Sequence, residues 1–463
     1  MIDARVVEEI KYRNDIRDVI GSYVTLKRAG ANYNGLCPFH SEKTPSFTVF
    51  TGGEGNFYCF GCGAGGDVIT FIMRAENLDY PNALEFLANR AGITIPEEKN
   101  RNNPNEVSRT RVLDLNREAA RFFYKTLAEG RYPDAMAYLK EKRGFSMPLI
   151  RHFGMGFAPP EWGALVKHLR SKHFTEEEMI AANLAAKSAK GTVYDVFRNR
   201  IIVPILDLNG NVVAFGGRVM DDSKPKYLNS SDTPAFKKRK TLFALNFAKD
   251  VCAERIILCE GYMDVISLHA AGFHNALATL GTAITEDHAR LMKRYTKEVI
   301  ICYDADEAGQ RAADKAFVLL SEVGLETKIL KVEGAKDPDE YIKKFGAGKF
   351  KLLLDGSRTR FDFKFSSILE KHDISQLPEK IKAADATAEL IAGFYSDVER
   401  NLYIDLAARK LSLPAETLKA DVDKKVRAAR RKEKNEELKS VMSVSAGMGN
   451  RVNPDYVRNP AAG

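Results

Sequence analysis

The chain has 463 residues, six cysteines and a formal net charge of +8. That length gives room for about three domains. No apolar run reaches the roughly 18 residues of a membrane span, and the charged opening "MIDARVVEEIKYRND" carries no secretory signal, so the cytoplasm is the expected compartment and no membrane is involved. Six cysteines are too few for a disulfide scaffold, and a modestly basic balance permits an anionic partner without requiring one.

The first domain, expected at 1–97, contains Cys37-Pro-Phe-His40 and Cys59-Phe-Gly-Cys62. A C-x2-H and a C-x2-C knuckle separated by a hairpin-length loop supply the four tetrahedral N and S ligands of a closed structural zinc site. The competing reading, three unrelated buried cysteines and a surface histidine, does not account for two correctly spaced pairs. A closed Cys3His site folds its module and has no open position for catalysis. The remaining cysteines, Cys252, Cys259 and Cys302, lie in or beside apolar runs and read as core. Around the ligands stand Tyr33, Phe47, Phe57, Tyr58 and Phe60, with Lys27, Arg28 and Lys43. About half of these aromatics are expected in the small core and the rest to stack on single-stranded bases beside phosphate-binding cations.

"PEEKNRNNPNEVSRT" is polar and without periodicity, placing a linker at 98–109. A mixed region comes next at 110–253, opening with the helical pattern "RVLDLNREAARFFYKTLAEG" and containing a hairpin that turns at Asn209-Gly210. It carries a basic strip with Arg198, Arg200, Arg218, Lys224, Lys226, Lys237, Lys238, Arg239 and Lys240. Such charge is often a solvated face. Gly216 and Gly217 beside Arg218, with Asn229 and Ser230, favour a phosphate-lined groove that the backbone can approach closely.

From 254 to 346 strand and helix patterns alternate, which predicts a compact parallel α/β unit. In "VIICYDADEAGQ" an apolar strand ends in Asp304 and Asp306. A helix cap needs one acid, and Asp306 alone would serve. Two in D-x-D spacing repel unless a cation lies between them. "LCEGYMDV" adds Glu260 and Asp264 at a second strand end, and "GAKDPDEYI" adds Asp337 and Asp339 after the last strand. A parallel sheet gathers those ends at one edge. Hard carboxylates without His or Cys select Mg2+ or Mn2+, and two such ions about 3.5 to 4 Å apart serve phosphoryl transfer. The alternative is a set of separate caps and surface turns. "KFGAGKF" imitates a phosphate loop, but its glycine spacing is wrong and Phe350 stands where a Ser or Thr is needed, so it reads as a loop between helices. A basic helical region is expected at 347–432 and a disordered tail at 433–463.

The order zinc ribbon, "RNR…FGGR…KYLNS" and E-G-Y-x-D, D-x-D-x-A-G, D-P-D resembles bacterial replicative DNA primase of the DnaG type, over residues 1 to roughly 430. The fold class this implies is α/β and α+β multidomain: zinc ribbon, basic α+β subdomain, TOPRIM parallel α/β subdomain and helical subdomain. The resemblance implies a nucleotidyltransferase, a DNA-directed RNA polymerase that builds short RNA primers de novo from ribonucleoside triphosphates on single-stranded DNA. Glu260, Asp304 and Asp306 would be catalytic, and these three with Asp264, Asp337 and Asp339 would hold magnesium. Arg198, Arg200, Arg218, Lys226 and Lys238 would line the template and nucleotide groove, and Gly281 would belong to a phosphate-side loop. The family's F-H-K-G pattern reads Phe236-Lys237-Lys238-Arg239 here. The family usually ends in a separate domain that binds the replicative helicase. This chain is expected to lack it and to act as a monomer, and whether it is a fragment of a longer primase stays open. The rival class is a non-enzymatic recombination factor pairing a zinc knuckle with a TOPRIM unit; such chains lack the RNR-FGGR-KYLNS block.

Overall fold

The protein is described by a computed structural model covering residues 3–431 except 54, 97–106, 282, 331, 333, 395, 429 and 430. The expected tail, and the expected linker apart from its last three residues, lie outside the described residues. The chain divides into two compact units, Met1–Ser357 and Arg358–Gly463.

The first unit begins with an antiparallel sheet of strands Lys27–Ala29, Asn32–Gly35, Phe47–Phe50, Asn56–Cys59 and Gly65–Gly66 in chain order. Strict alternation explains its one-sided core: Phe47, Val49, Phe57 and Cys59 point inward while Asn56 and Tyr58 face water. Phe39, Phe47, Phe57 and Phe71 pack with ring centroids 5.3 to 6.3 Å apart. Tyr58 and Phe60 stay exposed and touch edge to face at 5.0 Å, so the aromatics divide between core and surface. Arg109 ties this module to the mixed region, its Nη1 lying 2.6 Å from Glu85 and its Nη2 3.1 Å from Asp207. Lys249, buried, meets Glu76, and Arg294 meets Asp79.

Next, the helix Arg109–Ala128 packs on an antiparallel sheet ordered Tyr227–Asn229, Val212–Arg218, Arg200–Leu206 and Gly156–Ala158. The hairpin turns where expected, with Gly210 at φ +80°. The parallel sheet comes after it, its strands ordered Ala276–Ala278, Arg255–Cys259, Glu298–Cys302 and Glu326–Ile329. Apolar side chains along the two central strands are buried on both faces, as a sheet covered on both sides requires. Cys259 pairs with Cys302, which brings Glu260 and the D-x-D segment out at the same edge. The "KFGAGKF" segment is a break between the helices Pro338–Phe345 and Ala347–Asp355, with Gly346 at φ +84°. Phe350 and Leu354 of the second helix are buried in the first unit's core.

The second unit contains the helices Arg360–Lys371, Leu377–Ala392 and Asp397–Leu411. They enclose their own core of Phe361, Phe365, Ile391, Phe394, Ile404, Leu411, Leu418 and Val422. Phe361 stacks on Tyr403 at 4.2 Å.

Candidate functional site

Among the described residues, Cys37, His40, Cys59 and Cys62 form the group whose ligand atoms all lie within 4.8 Å of one another. Cys59 ends a strand, and Cys62 sits in the turn after it. The sulfurs of Cys37 and Cys62 are 3.8 Å apart, as are Cys59 Sγ and His40 Nδ1. A tetrahedron with Zn–S bonds of about 2.3 Å has edges of about 3.8 Å, so the donor set fits one zinc ion.

At the carboxyl edge of the parallel sheet the acids meet. Glu260 is exposed at the end of Arg255–Cys259, and Asp264 lies in the first turn of the helix Tyr262–Ala270. Burial pushes the Asp264 carboxyl up to about 8, reinforced by Asp337, Asp304 and Asp339, while Arg143 opposes the rise. Asp304 is pushed up to about 6 by burial and then by Glu260, Asp337 and Asp306, with Lys226 opposing. Acids from three strand ends therefore feel one another. Asp306 and Asp337 are also helix caps, accepting from Gly309 N and Glu340 N, each at 2.7 Å. The cap and the D-x-D arrangement coexist, because a cap occupies one oxygen. Ala305 N donates to Lys336 O at 3.1 Å and so ties the D-x-D segment to the D-P-D segment. Gly309 is required by contact: a Cβ there would lie 2.2 Å from Asp304 O.

Asp339 is placed differently from its neighbours. Its side chain is 9% exposed; Oδ1 accepts from Ser267 Oγ at 2.7 Å and meets Lys343 Nζ at 2.8 Å, and Oδ2 accepts from Arg143 Nη1 at 2.9 Å. Arg143 escaped the sequence reading. It comes directly after a π-helical turn, Tyr138–Lys142, and its Nε donates to Tyr138 Oη at 3.1 Å. Arg218, buried, donates from Nε to the same hydroxyl at 2.5 Å and from Nη1 to Tyr227 Oη. Tyr227 meets Tyr262 edge on at 5.4 Å. A polar chain thus runs from Asp339 through Arg143, Tyr138 and Arg218 to Tyr227.

The basic strip separates into distinct placements. Lys226 is exposed and acts on Asp304. Arg200 is buried against Gly217, where a Cβ would approach its Cδ to 3.1 Å. Arg198 lies 4.0 Å from the ring centroid of Trp162 and 5.3 Å from that of Tyr194. Trp162 is 64% exposed, so the three form a surface platform that the sequence reading missed. Lys238 belongs to a 3-10 turn, where its N–H donates to Asp232 Oδ1 at 2.9 Å and its carbonyl lies 2.8 Å from His288 Nε2. Gly281 has φ +71°, and a Cβ there would come within 2.8 Å of Asn229 Nδ2. No helix among the described residues is long and apolar enough to cross a membrane.

Four family models match the chain: "CHC2 zinc finger" over 2–103, "DNA primase catalytic core, N-terminal domain" over 122–249, "Toprim-like" over 257–342 and "DnaB-helicase binding domain of primase" over 361–416. The DNA primase of Clostridium acetobutylicum is 42% identical over 410 residues, 88% of this chain and 68% of that protein. The DNA primase of Halalkalibacterium halodurans is 38% identical over 424 residues, 91% of this chain and 71% of that protein. The zinc-binding and RNA polymerase domains of Aquifex aeolicus primase superpose with a TM-score of 0.58 at 35% identity, covering 89% of this chain and 98% of that one. A DnaG primase catalytic domain bound to ssDNA gives a TM-score of 0.57 at 32% identity, covering 65% and 98%. The match over 361–416 corrects one expectation: the chain has the helicase-binding domain that its sequence pattern suggested it lacks. Helical periodicity reveals that those helices pack, as they do around Phe361 and Ile404, but carries no mark of a partner.

Proposed function

The chain belongs to the DnaG-type DNA primase family and makes RNA primers, and from that membership we propose that it joins ribonucleoside triphosphates on single-stranded DNA at the acidic edge of its parallel sheet. The observation that carries this reading is that acids from three strand ends meet at one edge: burial and then Asp337, Asp304 and Asp339 raise Asp264 against Arg143, and burial and then Glu260, Asp337 and Asp306 raise Asp304 against Lys226. Carboxyls that repel one another inside a fold fit cations better than they fit packing. Glu260, Asp264, Asp304, Asp306 and Asp337 would hold Mg2+ or Mn2+, with Asp339 bracing Arg143 beside them. Such ions, when bound, neutralise phosphate charge and stabilise the attacking and leaving oxygens of a phosphoryl transfer.

The protein's own part is positioning. Lys226, exposed beside Asp304, meets a nucleotide phosphate from the basic side, and Asn229 with Gly281 forms a close-approach corner for the triphosphate. Arg198, Trp162 and Tyr194 offer a stacking surface to template bases. The zinc module presents Tyr58, Phe60 and Lys43 to the same strand, and residues 361–416 dock on the replicative helicase. The match to a primase catalytic core over 122–249 leaves the non-enzymatic reading without support.

The test supplies the protein with circular single-stranded DNA, four ribonucleotides and Mg2+. Labelled oligoribonucleotides that depend on template, metal and Asp304 are the expected product. Template-dependent synthesis at full rate by Asp304→Ala would overturn the assignment of the site.

A further inference from the structure

Glu42 lies outside the zinc ligand set, yet two of the four ligands touch its carboxylate and a third lies against Ser46, its hydrogen-bond partner. Oε1 accepts from Cys37 N at 2.6 Å and from Ser46 N at 3.2 Å. Oε2 accepts from Ser46 Oγ at 2.5 Å and lies 3.3 Å from His40 Nε2. Ser46 Oγ is in turn 3.2 Å from Cys59 Sγ. The Glu42 side chain is 10% exposed, so its oxygens are committed inward. Gly61 gives an independent sign of how closely this shell is built: a Cβ there would come within 2.8 Å of both His40 Nε2 and Ser46 Oγ.

The two ring nitrogens of His40 face different partners. Nδ1 is 3.8 Å from Cys59 Sγ, on the ligand side, and Nε2 faces Glu42. A histidine that binds a metal through one nitrogen characteristically donates its other N–H to a carboxylate or carbonyl, which fixes the tautomer. We propose that Glu42 is the positioning residue of the zinc centre: it holds His40 as the Nε2–H tautomer for ligation through Nδ1, it fixes Cys37 through that residue's backbone N–H, and it holds Ser46 in place beside Cys59. The inference rests on the zinc assignment.

Glu42→Gln keeps an acceptor for the Cys37 N–H but places an amide NH2 where Oε2 accepts from Ser46 and His40. Chelator competition on the full chain should show zinc affinity falling by about 10- to 100-fold, and Ser46→Ala, which leaves the His40 contact, should fall less. Cobalt-substituted Glu42→Gln should retain the charge-transfer bands of a Cys3His set, because no ligand is lost. Histidine-selective 15N labelling of the zinc-loaded native chain should report His40 with Nδ1 metal-bound and Nε2 protonated, a reading that stands even if the variant fails to fold. Affinity within twofold of the native value, or ligation through Nε2, would overturn the proposal. A native chain that binds no zinc would instead sink the zinc assignment itself.

Discussion

The ring of Tyr262 lies over Gly216 so closely that a methyl group on Gly216 would stand 2.8 Å from Cε1. Gly216 belongs to the strand Val212–Arg218 of the antiparallel sheet, whereas Tyr262 opens the helix that carries Asp264. The missing side chain in one motif thus sets where an acid of another motif stands. Gly216→Ala should overpack this contact at a cost of about 1–3 kcal/mol and reduce primer synthesis by more than the loss of folded protein explains. Thermal melting and initiation rate, measured on the same preparation, separate the two effects.

Asp304→Asn and Asp306→Asn should each abolish primer synthesis. Their stabilities should differ. Asp304→Asn removes a carboxyl that burial and three neighbouring acids push up to about 6, so without metal it should melt no lower than the native protein. Asp306→Asn alters a cap that accepts from Gly309 N at 2.7 Å, although Asn remains a good cap, so its loss should stay below about 1 kcal/mol. Wild-type priming by either variant would contradict the site.

The pH dependence is set by the sign of the Asp264 shift. An unfolded Asp titrates near 3.9, while the folded carboxyl is raised to about 8, first by burial and then by Asp337 and Asp304. Between those values the folded chain holds a proton that the unfolded chain has released. The stability of the metal-free protein should therefore fall as pH rises through this window, and the loss should be complete above about 8. Asp304, raised to about 6, steepens the lower part. Asp264→Asn should flatten the profile. Mg2+, which favours the ionised acids, should raise the melting temperature more near the upper end of the window than near its lower end; an equal rise throughout would count against metal binding by these carboxylates.

Arg143→Ala should leave Asp339 with Lys343 and Ser267 alone and remove the cation that opposes protonation of Asp264. Breaking such a pair costs up to about 3–5 kcal/mol, with Lys343 limiting the damage. Arg143→Lys restores charge without the fork that reaches both Tyr138 and Asp339, so it should recover stability better than activity. Pairing Arg143→Ala with Asp339→Asn should restore melting temperature while priming stays low.

What the sequence revealed and what it concealed divide by range. The zinc ligands declared themselves because each knuckle is local, and the strand-end acids did so because a parallel sheet is predictable from alternating patterns. Arg143 did not, since its partner Asp339 is 196 residues away and one arginine among many in a basic chain has no distinguishing spacing. Trp162 and Tyr194 meet Arg198 from separate segments for the same reason. Asp339 looked like its neighbour Asp337, and the difference between them lies in the side chains that fold around each. The helicase-binding helices were legible as helices, but a docking function leaves no period in a sequence.

The turn Tyr138–Lys142 closes with Arg143 N donating to Tyr138 O at 3.1 Å, five residues back, so it holds one residue more than an α-helical turn. That surplus residue brings the Arg143 guanidinium back over the Tyr138 hydroxyl. Deleting any one residue between 138 and 142 would let the segment wind as an ordinary helix and swing position 143 by about 100° around the axis. The clamp is therefore written in chain length as much as in residue identity. In a relative with a one-residue gap there, an arginine in the aligned column would point elsewhere, and the acids would lose their counter-charge without a single charged residue having been substituted.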